Sequence, residues 1–252
     1  MASAQCIAAG KTVPIYPGIE APFLVGQKQP ECPQASALGN WPHQRDFPTN
    51  EAIDFLRRTI RKYPGEVTLL ATGPMTNIGI LFALDPEIPS LLKQLVMMVG
   101  VFTDKLTDRP PLEWNAICDP HAIAKIYQTP VAVHRSIGLD VTVQVTMHAE
   151  EVRKRFQTPL LRPVLDFAEV WFAERPVITF HDPLAATTLF SDVICSFTRG
   201  NVGIELIDPD MLGRTTWAAA ADGPHEVALE VAPNQFFDHF FSVVEGYQAG
   251  PG

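Results

Sequence analysis

No apolar run in the chain approaches the roughly 20 residues needed to cross a bilayer, and no basic segment near the N-terminus leads into an apolar core. The expectation is a protein without a membrane anchor or export signal. Cysteine is scarce: Cys6, Cys32, Cys118 and Cys195 lie far apart, with no pair at the spacing of a zinc ribbon or a disulfide framework. Reduced thiols and a cytoplasmic location follow as expectations. Positive charge is also short. Lys and Arg number 19 against 28 Asp and Glu, a formal net charge of -9, and no basic block offsets it. Such a chain repels phosphate backbones and anionic headgroups, which argues against nucleic acid and membrane surfaces as partners. Internal repeats and linker-like stretches are absent too, so residues 1–252 read as one domain.

The 46% of hydrophobic residues is enough to build a core and sets disorder aside. The opening stretch 2–10 is rich in Ala and stopped by Gly10, as the tail of a helix would be, and 12–18 reads as a short strand weakened by Pro14. A long Pro- and Gly-rich stretch, 19–48, is expected to be an active-site or surface loop. Asn50 can then cap a helix over 51–63, in which Ile53, Leu56 and Ile60 recur at helical spacing.

From there strand and helix alternate. Strands are expected at 67–71, 95–99, 131–134 and 177–180, with helices to about 84, over 88–93, 119–128, 147–156, 160–173 and 184–190. Parallel strands require crossovers, so this order predicts an α/β fold with a Rossmann-like, mostly parallel sheet and helices on both faces. Residues 193–230 read as short strands and turns forming a hairpin-rich edge, before a last helix over 235–244.

Polar residues with chemistry to offer sit beyond the carboxyl ends of these strands, where open α/β sheets bind ligands. Glu113 and Asn115 flank Trp114 after the apolar run 94–100. On an extended segment the acid and the amide point the same way and can grip neighbouring hydroxyls of a sugar. A solvated loop holding one Glu and one Asn is the plainer reading. His181-Asp182-Pro183 follows another strand: Asp182 can ligate a hard cation, and His181 can give a proton to a leaving nitrogen. Asp-Pro also starts helices, so Asp182 can equally be a cap. Thr72-Gly73-Pro74 is a tight turn into a helix in which Gly73 lets backbone approach a ligand, and the Thr72 carbonyl suits a calcium shell. Trp114, Trp171 and Phe172 can stack on a base or fill a core.

Taken in order, Thr72-Gly73-Pro74-Met75-Thr76-Asn77, Met97-Met98-Val99-Gly100, Glu113-Trp114-Asn115 with Asp119-Pro120, Gly138-Leu139-Asp140-Val141-Thr142 and His181-Asp182-Pro183 resemble the inosine-uridine-preferring nucleoside hydrolases. The resemblance implies hydrolysis of the N-glycosidic bond of small-molecule ribonucleosides, helped by one bound calcium ion, in a homodimer or homotetramer. It implies Asp182 and the Thr72 carbonyl as calcium ligands, Glu113 and Asn115 as the ribose-binding pair, Met98 against the sugar and Trp114 beside it. His181 takes the place of the residue that assists departure of the base. It also implies a departure: the family's opening strand-helix-strand unit, with its Asp-x-Asp-x-x-x-Asp-Asp cluster, has no counterpart in this chain. An inactive homologue that binds a nucleoside or ribose is the alternative expectation.

Overall fold

The structure, a computed structural model, describes residues 1–247. It opens with α1 (Ala2–Ala8), a 3-10 helix (Pro33–Asn40) and α2 (Ala52–Lys62). The alternating part runs β1 (Thr68–Ala71), α3 (Thr76–Leu84), α4 (Ile88–Leu91), β2 (Gln94–Met98), α5 (Trp114–Cys118), α6 (Pro120–Tyr127), β3 (His134–Ile137) and α7 (Leu139–Thr142). Then come β4 (Thr146–His148), α8 (Ala149–Arg155), α9 (Arg162–Phe172), β5 (Val177–Thr179), α10 (His181–Thr187), β6 (Cys195–Ile204), β7 (Thr215–Ala219), β8 (His225–Val231) and α11 (Pro233–Gly246).

The main sheet has the order β1-β2-β3-β8-β6-β7. Its first four strands are parallel, while β6 runs antiparallel to both β8 and β7. Side chains alternate across a strand, and β2 shows what that does here. Leu95, Met97 and Val99 enter one core with Leu81, Phe82 and Ile123; Val96 and Met98 enter the other with Ile137, Leu184 and Phe236. A strand apolar on both faces belongs inside a sheet covered on both sides. The second core closes on a cluster of edge-to-face rings, with Phe180 5.6 Å from Phe236 and 5.3 Å from Phe237. Each fully buried Phe contributes about 1.5–3 kcal/mol by leaving water.

Several expectations need correction. No strand forms over 12–18, where Pro14 and Pro17 each remove a backbone donor, and among the described residues β1 is the first strand and stands at the sheet's edge. Asn50 does not cap α2; it sits at φ 58, and Glu51 is the N-cap without a side-chain bond. The third parallel strand is His134–Ile137 rather than the apolar 131–134, because its polar members are satisfied by tertiary partners: Arg135 by Glu226 at 2.8 Å and Ser136 by Tyr127 at 2.7 Å. Met147 lies in β4, which pairs with β5 in a small separate ribbon. β8 runs inside the sheet between β3 and β6, so only β6 and β7 make the expected hairpin edge. Finally, α10 begins at His181, three residues early, since Pro is tolerated in a first helical turn.

Candidate active site

The loops at the carboxyl ends of β1, β2 and β3 converge on a cleft of about 580 Å³. Thr72, Met98, Glu113, Trp114, Asn115, His181 and Asp182 all line it, so the structure brings together the residues that the family resemblance pointed to. Arg109, Leu112, Ile117, Leu139 and Arg175 complete the wall.

Glu113 and Asn115 do not lie on an extended segment. Glu113 is the N-cap of α5, with extended backbone, and Asn115 is in that helix's first turn. The Glu113 carboxylate accepts from the backbone N–H of Asn115 at 2.8 Å and of Ala116 at 3.0 Å, satisfying two of the donors a helix start leaves unpaired. It also accepts from the Gly100 N–H at 3.2 Å, which ties α5 to the end of β2. Gly100 itself sits at φ 90, a conformation that suits glycine, and an added Cβ would meet the Phe102 ring at 2.6 Å. Asn115 donates from Nδ2 to the Met98 carbonyl at 3.0 Å and, more weakly, to the Thr72 carbonyl at 3.4 Å.

Electrostatics separate the acids. Glu113 is 3% exposed, and burial raises its carboxyl to about 7 against the opposing pull of three backbone N–H groups; the charge of Asp182 adds to the rise. Asp182, in the first turn of α10, makes no capping bond. It is open to solvent yet crowded by surrounding protein, which pushes its carboxyl up to about 6. His181 shares a hydrogen bond between Nδ1 and the Thr142 hydroxyl at 2.7 Å, and burial, then the charge of Arg109, lower its pKa to about 4. The imidazole is neutral at pH 7, with Nε2 left for a ligand.

The Gly138–Thr142 stretch works behind this wall. Asp140 accepts from the backbone N–H of Phe102 and of Thr103, both at 2.8 Å, and so holds the loop that follows β2. Asp119 does the same for the early loop, accepting from Phe23 N–H at 3.0 Å, from the Thr76 hydroxyl at 2.7 Å and, as the expected cap of α6, from Ala122 N–H at 3.0 Å. That early loop does approach the site. Gln27, Gln29 and Glu31 line an adjoining polar hollow of about 640 Å³ that shares Thr72, Trp114 and Asn115 with the cleft. On the other side, His181 and Asp182 open onto a more apolar hollow of about 530 Å³ walled by Phe167, Trp171 and Ile178. Phe172 is not part of it; it packs with the second core, under the guanidinium of Arg153.

A calcium ion takes six to eight oxygens, several of them carboxylate. Among the described residues no three His, Cys, Asp or Glu converge as such a set would. Asp182 and the Thr72 carbonyl supply only two of those six to eight oxygens. Asp182 and Thr72 therefore do not by themselves fit a resident calcium ion.

The profile of the family described as Inosine-uridine preferring nucleoside hydrolase matches residues 2–238. The chain belongs to that family. Among curated relatives, a probable uridine nucleosidase 1 of Oryza sativa subsp. japonica is 30% identical over 74% of this chain and 64% of its own length. A pyrimidine-specific ribonucleoside hydrolase RihA of Citrobacter koseri is 30% identical over 62% of this chain and 53% of its own. The chain thus spans less than two thirds of the length of these family members. Among solved structures, a purine-preferring ribonucleoside hydrolase from Gardnerella vaginalis superposes with a TM-score of 0.83 at 23% identity, covering 98% of this chain and 85% of that one. That likeness establishes the nucleoside hydrolase fold here, a mostly parallel mixed sheet between helices.

Arg109 and Arg175 were missed in the sequence. Each is a single basic residue in a loop, and neither carries a periodic or motif signal.

Proposed function

We propose that the cleft binds a ribonucleoside and that the chain hydrolyses its N-glycosidic bond to ribose and free base. The observation that carries this reading is the shared wall of Glu113, Asn115, Met98, His181 and Asp182. Met98 and Trp114 face the sugar; Glu113 and the Asn115 amide hold its hydroxyls. Asp182, ionised for the most part above pH 6, takes the proton of an attacking water, and its charge favours the positive, oxocarbenium-like sugar of the transition state. His181, held at Nδ1 by Thr142, offers Nε2–H to a ring nitrogen of the departing base. The apolar hollow beside it, with Trp171 and Phe167, suits the base itself. No step of this reading passes through calcium.

A second reading is favoured by one observation. Glu113 spends both oxygens on backbone amides, and a site with so few uncommitted acids suits a homologue that binds ribose or nucleoside without turning it over. In either case no helix among the described residues is long and apolar enough to cross a membrane. The four free thiols support a place in the cytoplasm, and nucleoside salvage by a homodimer or homotetramer is the matching role. The test is release of free base from inosine and uridine by the wild type and by Asp182→Asn. Release that falls at least ~100-fold in the variant, the lower range for a general base, supports hydrolysis. Saturable binding with no release supports the second reading, and neither binding nor release refutes both.

A further inference from the structure

The hollow beside His181 is walled mostly by apolar side chains, Val164, Phe167, Trp171 and Ile178 among them. A pyrimidine entering it carries donors and acceptors on the edge remote from its glycosidic nitrogen. Left unpaired there, these groups weaken binding, so the side chain that meets them selects the base. His181 and Asp182 line both this hollow and the cleft, and so mark its near end. Two other polar side chains, the Gln34 carboxamide and the Thr179 hydroxyl, line the hollow but not the cleft.

Gln34 is half-buried in the first turn of the 3-10 helix. That helix is fastened to α9 through Trp41, whose indole N–H donates to the Asp166 carboxylate at 3.0 Å. The same α9 carries Phe167 and Trp171, and the Trp171 indole is fixed in turn by donating to the Val177 carbonyl at 3.0 Å. Carboxamide and apolar wall are therefore held as one unit. Gln34 Oε1 accepts only a long bond of 3.5 Å from the Cys32 thiol, a weak donor that a ligand can replace, and Nε2 has no partner among the described residues. A carboxamide sets an N–H donor beside a carbonyl acceptor. Uracil sets its N3–H beside O4, cytosine sets N3 beside its amino group, and by turning over one carboxamide meets either pair. We infer that Gln34 pairs with the remote edge of the base and makes the hollow accept uracil and cytosine alike. This inference rests on the reading of the cleft as a ribonucleoside site.

The test is binding of uridine, cytidine and 3-methyluridine to the whole chain, read as tryptophan quenching on rapid mixing, before turnover. In the wild type, uridine and cytidine bind within about tenfold of each other, and uridine binds at least about tenfold more tightly than 3-methyluridine, which lacks the N3–H. Gln34→Ala brings the uridine to 3-methyluridine ratio close to one. Gln34→Glu, which only accepts, sets a carboxylate against O4 of uracil and favours cytidine over uridine by at least about tenfold. Each ratio is read within one protein, so a general loss of packing cancels, and a reversal of preference in the glutamate variant cannot come from unfolding. The inference alone is overturned if wild-type uridine and cytidine affinities differ by more than this, or if the 3-methyluridine penalty survives in Gln34→Ala. An unmoved uridine to cytidine ratio in Gln34→Glu overturns it as well. Binding of none of the three nucleosides by the wild type overturns it together with the nucleoside reading.

Discussion

The side-chain amide of Asn115 donates to the main-chain carbonyl of Met98 at 3.0 Å, fastening the first turn of α5 to the last residue of β2. The same side chain lines the cleft, so one group both builds the site and faces the ligand. Asn115→Ala leaves the Met98 carbonyl without this donor in a buried place. Stability is expected to fall by about 1–3 kcal/mol in urea unfolding, and uridine affinity to fall with it.

Glu113 gives the protein a pH dependence of unusual sign for a carboxylate. Its folded pKa, about 7, lies above the ordinary 4.5, so between these values the folded chain keeps a proton that the unfolded chain has released. Raising the pH through that window therefore costs stability, at no more than about 1.4 kcal/mol per pH unit. Urea midpoints across the window are expected to decline for the wild type relative to Glu113→Gln. The variant should be weaker at acid pH, because its amide presents a donor to backbone N–H groups.

His134 acts in the opposite direction. It is 1% exposed on β3, neither ring nitrogen has a hydrogen-bond partner among the described residues, and it stacks 5.0 Å from Tyr127 with His225 edge-on at 4.9 Å. Burial, then the neighbouring His225, depress its pKa from 6.5 to about 3. The unfolded chain takes up a proton below 6.5 that the folded ring refuses, so stability is lost as pH falls from there. His134→Leu, which removes the unpaired nitrogens at similar volume, is expected to flatten this acid limb in thermal melts read from pH 7 to pH 4. An unchanged slope would show that the ring titrates freely.

Calcium offers a direct check on the donor set. An ion bound only by the folded state at a hundredfold excess over its Kd adds about 2.7 kcal/mol. With Asp182 and the Thr72 carbonyl as the available oxygens, millimolar calcium is expected to leave the melting temperature of this chain unchanged, and a chelator likewise.

Much of this was legible because the relevant signals are local. A buried apolar run followed by Gly, Pro or Asp marks where a strand ends and a ligand corner begins, and Thr72, Met98 and Asp182 each sit at such a corner. Other features depend on partners far along the chain. The strand His134–Ile137 carries Arg135 and Ser136, which look exposed until Glu226 and Tyr127 are brought beside them. Glu113 was misjudged as one of an extended pair because Glu is less favoured than Asp, Ser or Asn as a helix cap, so its reach to Gly100, Asn115 and Ala116 left no local signature. Arg109 and Arg175 meet at the cleft only through the fold.

The most direct measurement of the central claim is a crystal structure of the chain grown with uridine. The account predicts density for one nucleoside in the cleft, with its ribose against Met98, its hydroxyls within hydrogen-bond reach of Glu113 and Asn115, and its base beside His181 and Trp171. A nucleoside bound at another surface, or a cleft that stays free of it at saturating uridine, would contradict the account.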